Sequence, residues 1–346
     1  MHLARALFFA VAAAAVVATT AAAASDTLEV VEARGIIDGP VEGAIVTALE
    51  TAERTDARAL LLQIDSRGTL GADRATRLTD RILEADVPVI TWIGPPGARA
   101  ENGAVPFALA GDVTVMSPGS ALGPVGTLDL RSEGDAGRVA ALLARTEAGV
   151  IDRAYSAEGA EDAGLVDEIA VQLPDVLREL EIDAADLTIR FRKPDLWGRV
   201  LHGMAQPSIA YLVLLLGLVG LVFEIFHPST GPAGLSGLAA LALAGYGLVV
   251  LDASWVGIGF IVAGVVAFSI DLRFEGLGVF TLAGFGALIA GSLVLFGGPW
   301  LRINPWVLGV GVVGMTAFMV GAMTRVLRDL RAIARGELEV REPHAP

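Results

Sequence analysis

Serine side chains follow two apolar stretches in the first third of the chain, and such hydroxyls can act as nucleophiles in acyl transfer. Ser66 lies in the segment Asp65–Gly68, and Ser117 and Ser120 lie in Met116–Gly123. A serine hydroxyl is a weak nucleophile unless a neighbouring base accepts its proton, and the oxyanion that forms needs preorganised N–H donors. Each serine is therefore a candidate nucleophile only if the same region offers a base.

Histidine and lysine, the usual bases for such a serine, are absent from residues 25–192. The histidines are His2, His202, His227 and His344, and the single lysine is Lys193. Arginine cannot replace them, because its guanidinium stays protonated at any working pH. Neither a Ser–Lys pair nor a Ser–His–Asp triad can be assembled within this region, which leaves Lys193 at its end as the sole candidate base.

Other kinds of site have little support. The chain has no cysteine, which excludes disulfides and thiolate sites, and it has no phosphate-binding glycine loop or histidine cluster. We therefore expect no metal and no cofactor. The net charge is −14, and residues 25–201 alone hold 31 acidic and 17 basic residues. Such an acidic surface repels nucleic acid and anionic lipid headgroups, and pairs such as Glu161 and Asp162 are interpreted as solvated charges.

The elements that would position these residues alternate between strand and helix from residue 27 to about 187. Such alternation predicts a largely parallel sheet covered by helices. In the second predicted helix, Ala72–Ala85, the buried face is predicted to hold Ala75, Leu78, Ile82 and Leu83. A third helix is predicted over Ala100–Ala110, with Asn102 as its N-cap. The predicted strands are Leu28–Ile37, Ala59–Ile64, Val87–Ile93 and Val113–Met116, and the first helix is Val41–Thr55.

The rest of the chain is apolar enough to enter a membrane. Residues 1–24 have the pattern of a signal peptide, with an uncleaved anchor as the alternative. About five spans are predicted, although a re-entrant hairpin could replace two of them because two are near the lower length limit. The predicted spans are Ile209–Phe226, Gly234–Leu251, Trp255–Ile270, Gly276–Phe296 and Trp306–Met323.

Two features of these spans could matter for function. The second and fourth spans repeat at an offset of roughly 45 residues, each with an acidic residue upstream, Glu224 and Asp271. Glu224 lies within an apolar run, so it is the membrane residue predicted to be functional, with exposure at the interface as the alternative. An exported domain followed by five spans places the C-terminus in the cytoplasm, and the basic tail, which begins at Arg325, agrees.

Four motifs together identify a resemblance. In order they are Asp65–Gly68, Pro96–Ala98, Met116–Gly123 and Ala163–Asp167. They resemble the NfeD family of membrane proteins, whose exported domain is similar to Clp-class and signal-peptide-peptidase serine proteases. The segments Pro207–Tyr211 and 223–231 resemble the membrane part of that family. The resemblance covers about residues 27–325 and implies an α/β ClpP/crotonase-like exported domain followed by an all-α polytopic transmembrane bundle.

The same resemblance identifies site positions. In proteolytic relatives a serine follows the Pro-Gly-Ala turn, and here that position holds Asn102. The oxyanion loop corresponds to Ser66, Arg67, Gly68 and Thr69, with Arg67 in place of the family's proline and Thr69 in place of its second glycine. A residual peptide groove is expected at Gly97, Ala98, Asn102, Gly103 and Ser120.

The resulting organisation is a signal peptide (1–24), a ClpP/crotonase-like domain (25–192), a linker (193–206), a membrane region (207–325) and a cytoplasmic tail (326–346) with no C-terminal β-barrel. The favoured hypothesis is a pseudoprotease of the plasma membrane, with its soluble domain outside. It would act in membrane protein quality control or organisation, with the lipid bilayer, a peptide, a stomatin/prohibitin-like membrane protein and a second copy of itself as partners. The alternatives are an endopeptidase with a displaced serine and a small transporter.

Overall fold

The computed structural model describes residues 25–125, 153–179, 187–226, 231–273, 278–297 and 301–322. The chain forms two compact units, one of Met1–Ile37 with Glu42–Lys193 and one of Asp38–Val41 with Pro194–Pro346. The first unit is an α/β domain and the second is α-helical. The fold class is therefore the predicted one.

The first unit is built on a single mixed sheet that has nine strands in the described residues. The strands are β1 Ser25–Ile37, β2 Ala57–Thr69, β3 Val89–Ile93, β4 Arg99–Ala100, β5 Val113–Met116, β6 Ala121–Leu122, β7 Tyr155–Ser156, β8 Glu168–Ile169 and β9 Thr188–Arg192. They run in the order β7-β6-β4-β2-β3-β5-β8, and β1 pairs with both β2 and β9. All described pairings are parallel except β6 with β7.

Helices connect these strands, because parallel neighbours need a crossover rather than a hairpin. They are α1 Gly39–Arg54, α2 Ala72–Leu83, α3 Ala104–Ala108, α4 Ala157–Asp162 and α5 Leu173–Glu179. One side of the sheet carries a core in which alternate strand residues such as Leu28, Val30 and Trp92 pack with Val176 and Leu177 of α5. Strand β3 is buried along its whole length, as expected for a central strand between covering helices.

Two local predictions in this unit are wrong. Leu83 is 47% exposed, because it lies at the last residue of α2 and points away from the face that buries Leu78 and Ile82. The predicted helix over Ala100–Ala110 shrinks to the five residues of α3. Ala100 instead belongs to β4, where it pairs with Ser66, because its backbone completes the sheet.

The second unit consists of a short helix, α6 Leu196–Met204, and the apolar helices α7 Pro207–Phe226, α8 Pro232–Val250, α9 Trp255–Arg273, α10 Val279–Val294 and α11 Pro305–Ala317. A π-helical turn, Phe318–Ala322, continues α11. By length and composition α7, α8 and α9 can each cross a membrane, whereas α10 and the stretch Pro305–Gly321 are shorter apolar helices. The described residues of this unit thus contain five apolar helices where five spans were predicted, and three of these helices reach spanning length.

The predicted repeat is present as two helical hairpins, α7–α8 and α9–α10. The offset between the two repeats is 47 residues rather than roughly 45, since Gly231 and Gly278 are the N-caps of α8 and α10. Both N-cap glycines have positive φ, 55° and 65°, which glycine adopts without strain. Glu224 and Asp271 are separated by the same 47 residues.

Glycines bring the two helices of each hairpin close together. A Cβ at Gly237 of α8 would lie 2.9 Å from Leu221 N and 3.0 Å from Gly217 O of α7. A Cβ at Gly284, 47 residues later, would lie 2.8 Å from Gly264 O of α9. Close approach of backbones through small residues is how membrane helices associate.

Candidate functional site

Asn102 sits between two loops of the α/β domain and is held by backbone and side-chain hydrogen bonds. Its backbone has φ 51°, in the left-handed region that asparagine tolerates better than most residues. Its N–H donates to Pro124 O at 2.8 Å, and its Nδ2 donates to Arg67 O at 2.7 Å. The predicted N-cap role is wrong, because the N-cap of α3 is Gly103 and no side chain caps that helix.

The loop after β2 presents its backbone to Asn102. Gly68 has φ 141°, and a Cβ at this position would lie 3.1 Å from Asn102 Cβ, so only glycine fits without strain. The Gly68 N–H donates to Ser66 Oγ at 3.1 Å. The Gly68 N–H is thus already used within its own loop.

The same loop packs against the start of α3. Thr69 is buried, and its Oγ1 donates to Gly71 O at 3.2 Å. A Cβ at Gly103 would lie 2.2 Å from Thr69 Oγ1, so Gly103 is the residue that admits the threonine side chain. The resemblance implies a glycine at position 69, and Gly103 leaves the room that the threonine side chain needs there.

The turn before β4 and the turn before β6 complete the region. Ala98 O accepts a hydrogen bond from Ala121 N at 3.0 Å, and Ser120 Oγ lies 3.4 Å from Pro95 O. Gly97 and Gly119 both have positive φ, 87° and 74°. The structure thus brings the predicted loop residues and groove residues together around β4, which pairs with β2 on one side and β6 on the other.

The serines are poor candidates for a displaced nucleophile. Ser117 is fully buried, and its Oγ accepts from Trp92 Nε1 at 3.0 Å and donates to Ala170 O at 2.9 Å. Ser66 is 1% exposed and is bonded within its own loop. Ser120 is 3% exposed. A hydroxyl committed to carbonyl oxygens inside the fold is not free to attack a substrate.

Lys193 lies away from this region in the sheet order. It follows β9, which pairs with β1, whereas Asn102 follows β4 on the other side of β2. Its side chain is exposed. The one lysine of the chain therefore has no described route to a serine of the site.

A charged pair, Arg99 and Glu101, borders the site, and the sequence patterns did not indicate this pair. Arg99 Nη1 donates to Glu101 Oε1 at 2.9 Å, and the Arg99 N–H donates to Asp65 Oδ1 at 3.2 Å. Arg99 is exposed, while Glu101 is partly covered. Opposite charges two residues apart on an extended segment were the available signal, since such side chains share one face of a strand.

In the membrane unit, Glu224 binds the start of the next helix. Its carboxylate accepts hydrogen bonds from Gly231 N and Gly234 N, each at 3.0 Å. Asp271 does the same in the second hairpin, where Oδ2 accepts from the Thr281 N–H at 3.1 Å and from the Thr281 hydroxyl. A carboxylate at a helix N-terminus satisfies N–H groups that have no intrahelical partner and complements the helix dipole. Both acids are helix caps, a role that the sequence did not indicate.

Among the described residues, no group of three or more His, Asp or Glu side chains is arranged to hold a metal ion. Around β4, the described α/β site thus offers tight glycine turns and the exposed charged side chains of Arg67 and Arg99.

The polar contacts between the two hairpins include one from α7 to α10, in which Ser292 Oγ lies 2.9 Å from Tyr211 Oη. Both side chains are buried.

Comparison with known proteins adds three findings. Residues 208–325 match the NfeD integral membrane domain. The chain is 22% identical over 330 residues to the membrane-bound protease PH1510 of Pyrococcus horikoshii, covering 82% of this chain and 74% of that protein. The described fold is also similar to solved structures of proteases.

One of these structures is a mutant of the 1510-N membrane-bound stomatin-specific protease in complex with a substrate peptide, with 18% identity and a TM-score of 0.41 over 51% of this chain and 96% of that one. The 1510-N protease specific for a stomatin homologue from Pyrococcus horikoshii has 18% identity and a TM-score of 0.40, over 51% and 96%. ClpP1 from Listeria monocytogenes has 15% identity and a TM-score of 0.36, over 42% and 92%.

Proposed function

Because the chain carries an NfeD integral membrane domain over residues 208–325, we propose that it is a membrane protein whose α/β domain binds an extended peptide without cutting it. The observation that carries this proposal is Asn102. It occupies the position where the resemblance places the nucleophile, and its side-chain amide donates a hydrogen bond to Arg67 O. No histidine or lysine occurs from residue 25 to 192 to activate another hydroxyl.

Peptide binding is the activity that survives loss of the nucleophile. Strand β4 is two residues long and is paired on both sides, with β2 and with β6, so a peptide would be held by the turns and side chains beside it. The exposed Arg67 and Arg99 side chains lie beside it and can bind backbone carbonyls or acidic side chains of a peptide. The groove proper is formed by Gly97, Ala98, Asn102, Gly103 and Ser120.

A stomatin/prohibitin-like membrane protein is the partner that we propose. The Pyrococcus horikoshii structures are named for a stomatin-specific protease, and one of them holds a substrate peptide. A pseudoprotease that kept the peptide site would tether such a partner rather than cleave it. Its role would be membrane protein quality control or organisation, in the plasma membrane with the α/β domain outside, and as a homo-oligomer.

The transporter hypothesis has less support. It requires polar groups that converge in the membrane. Glu224 and Asp271 instead bind backbone N–H groups at the starts of α8 and α10. Their roles are accounted for without a transported ligand.

The test for cleavage uses the purified full-length chain and its Asn102→Ser variant, each treated with a serine-reactive fluorophosphonate and a stomatin-like substrate peptide. We expect neither protein to be labelled and neither to cut the peptide, because a serine at 102 still has no base. A catalytically active Clp-class protease serves as the positive control. Labelling that disappears when Ser66, Ser117 or Ser120 is replaced by Ala would instead establish the endopeptidase alternative.

The test for binding places a photo-crosslinking amino acid at Arg67 or, as a matched exposed control in the same unit, at Leu83. With a labelled form of the same stomatin-like peptide, we expect peptide adducts at position 67 and only background at position 83. Equal adducts at both positions would contradict a peptide site at β4.

A further inference from the structure

Helix α6 joins the α/β domain to the first membrane helix, and its exposed surface is apolar. Leu196 is 72% exposed and Trp197 is 60% exposed, although both are large apolar side chains. Asp195 is the N-cap, since its Oδ1 accepts from Gly198 N at 2.8 Å. The helix therefore begins at a defined residue and presents these two side chains in its first turn.

The apolar residues of α6 form one stripe. At about 100° per residue, Leu196, Val200, Met204, Trp197 and Leu201 fall within an arc of about 140°. The opposite side holds Gly198, Arg199 and His202. The helix is therefore amphipathic, and its apolar side is wide enough to be a contact surface.

The two sides of α6 have different neighbours. On the small and polar side, a Cβ at Gly198 would lie 3.6 Å from Pro40 Cβ, and His202 Nδ1 lies 3.1 Å from Asp38 Oδ1. At the end of the apolar stripe, Met204 is buried, and a Cβ at Gly247 of α8 would lie 2.4 Å from Met204 O. The stripe thus runs from a buried contact with the membrane hairpin to the exposed Leu196 and Trp197.

This position restricts what can cover the stripe. Helix α6 ends at Met204 and α7 begins at Pro207, so only two residues separate it from a membrane-length helix. With a rise of about 1.5 Å per residue, Trp197 is within roughly 10 Å of the end of α6 along its axis. Trp197 is therefore close to the depth at which the bilayer begins.

Charge also favours a lipid surface. The chain has a net charge of −14, yet residues 190–199 hold four basic residues and one acidic residue. The basic residues are Arg190, Arg192, Lys193 and Arg199. Arg192 pairs with Glu29, while the other three are exposed. Basic residues beside an exposed tryptophan are typical of segments that bind the headgroup region of anionic bilayers.

From this geometry we propose that α6 is an interfacial helix, whose Leu196 and Trp197 side chains insert into the headgroup region of the bilayer that the chain itself spans. Arg199 lies on the polar side of the helix, from which its long side chain can reach the lipid phosphates. The general expectation that the acidic surface repels anionic lipid does not hold for this segment, because its local charge is opposite to that of the whole domain.

The test exploits the absence of cysteine from the chain. Single cysteines are introduced by Trp197→Cys, by Arg199→Cys on the polar side of the same helix, and by Leu83→Cys on α2 as an exposed control. Each full-length protein is labelled with an environment-sensitive fluorophore and placed in nanodiscs of phosphatidylethanolamine and phosphatidylglycerol, with or without brominated acyl chains.

We expect the label at 197 to lose roughly half of its fluorescence in brominated nanodiscs, the label at 199 to lose less, and the label at 83 to lose none. Replacing phosphatidylglycerol by phosphatidylcholine should reduce the quenching at 197. Equal quenching at 197 and 83 would overturn the proposal. So would a label at 197 that is shielded from water but not quenched by lipid, because a protein surface, such as a second copy, would then cover the stripe.

A second variant keeps the native tryptophan. Leu196→Glu places a charge on the stripe and should weaken quenching of a label at Leu201→Cys, provided that the thermal unfolding of the variant matches the parent. If that quenching is unchanged in a folded Leu196→Glu protein, the stripe does not lie in the bilayer.

Discussion

Asn102 joins two loops that are far apart in the chain, and its backbone geometry suits the residue type. A left-handed φ costs asparagine less than most residues, and its amide reaches Arg67 O, 35 residues away in sequence. Gly68 faces it at a φ that side chains rarely adopt. The Asn102 side chain is therefore a structural link between the two loops.

The first prediction separates the side-chain bond from the backbone strain. Asn102→Ala loses the hydrogen bond and places alanine at positive φ, so we expect it to destabilise the domain by about 2 kcal/mol. Asn102→Gly loses the same bond without strain and should cost only about 1 kcal/mol. Thermal unfolding of the purified chain measures both, with Glu158→Ala on exposed α4 as a control expected to change little. A Gly variant less stable than the Ala variant would show that φ is not the cause.

Helices α1 and α2 are joined to each other by ion pairs near both of their ends. Arg81 Nη1 donates to Glu53 Oε1 at 2.8 Å, and Arg74 Nε donates to Glu42 Oε2 at 2.6 Å. The hydrogen bond from Arg81 lowers the pKa of Glu53, against burial that raises it, and the Asp86 N–H lowers it further. The same bond raises the pKa of Arg81. The two helices that flank β2 are therefore held more firmly when Glu53 is ionised.

The second prediction follows from the sign of that shift. A carboxyl whose folded pKa is lowered contributes stability above its unfolded pKa of about 4.3, and this contribution is lost as pH falls through the folded pKa. We expect Glu53→Gln to cost about 1 kcal/mol at neutral pH and almost nothing at the most acidic pH that the fold tolerates. Unfolding of both proteins across pH measures the difference, and a constant gap would contradict the assignment.

The repeated hairpins give a third prediction with a built-in control. Gly237→Ala would place a methyl group against the backbone of α7, which cannot move aside, so we expect the hairpin to lose about 1 to 3 kcal/mol. Gly245→Ala, on the same helix, has nothing within 4 Å and should be neutral or slightly stabilising. Resistance to heat and protease in detergent compares the two. Equal behaviour would mean that α7 and α8 do not pack through Gly237.

For the whole molecule, one chain combines an acidic α/β unit with a membrane unit of duplicated hairpins. The cores of the two units follow different rules. The α/β unit buries branched side chains around a sheet, whereas each hairpin brings backbones together at glycines because lipid offers no hydrophobic driving force between helices. Changes in either core are therefore expected to act mainly within their own unit.

The fourth prediction concerns sidedness. If residues 1–24 direct export, a membrane-impermeant maleimide should label Leu83→Cys in intact cells, and Arg335→Cys only after the membrane is opened. The native chain, which lacks cysteine, is the unlabelled control. The reverse pattern would place the α/β domain in the cytoplasm and remove the basis for an extracytoplasmic partner.

Composition and hydropathy were enough to predict that the α/β domain lacks the usual bases of a serine protease and that the rest of the chain forms apolar helices. The absence of histidine and lysine from residues 25–192 does not depend on any fold, and long apolar runs report membrane helices because their hydropathy is a local property. Alternating strand and helix patterns also sufficed for the fold class, since the period of apolar residues reflects local geometry.

The contacts of Asn102, Glu224 and Leu83, by contrast, could not be predicted from local sequence patterns. Asn102 is a link between loops rather than an N-cap, Glu224 is a helix cap, and Leu83 is exposed. Each outcome depends on a neighbour that no local pattern specifies, such as Arg67 O or the start of α8. Side-chain roles set by contacts between distant residues become visible only when the chain is folded.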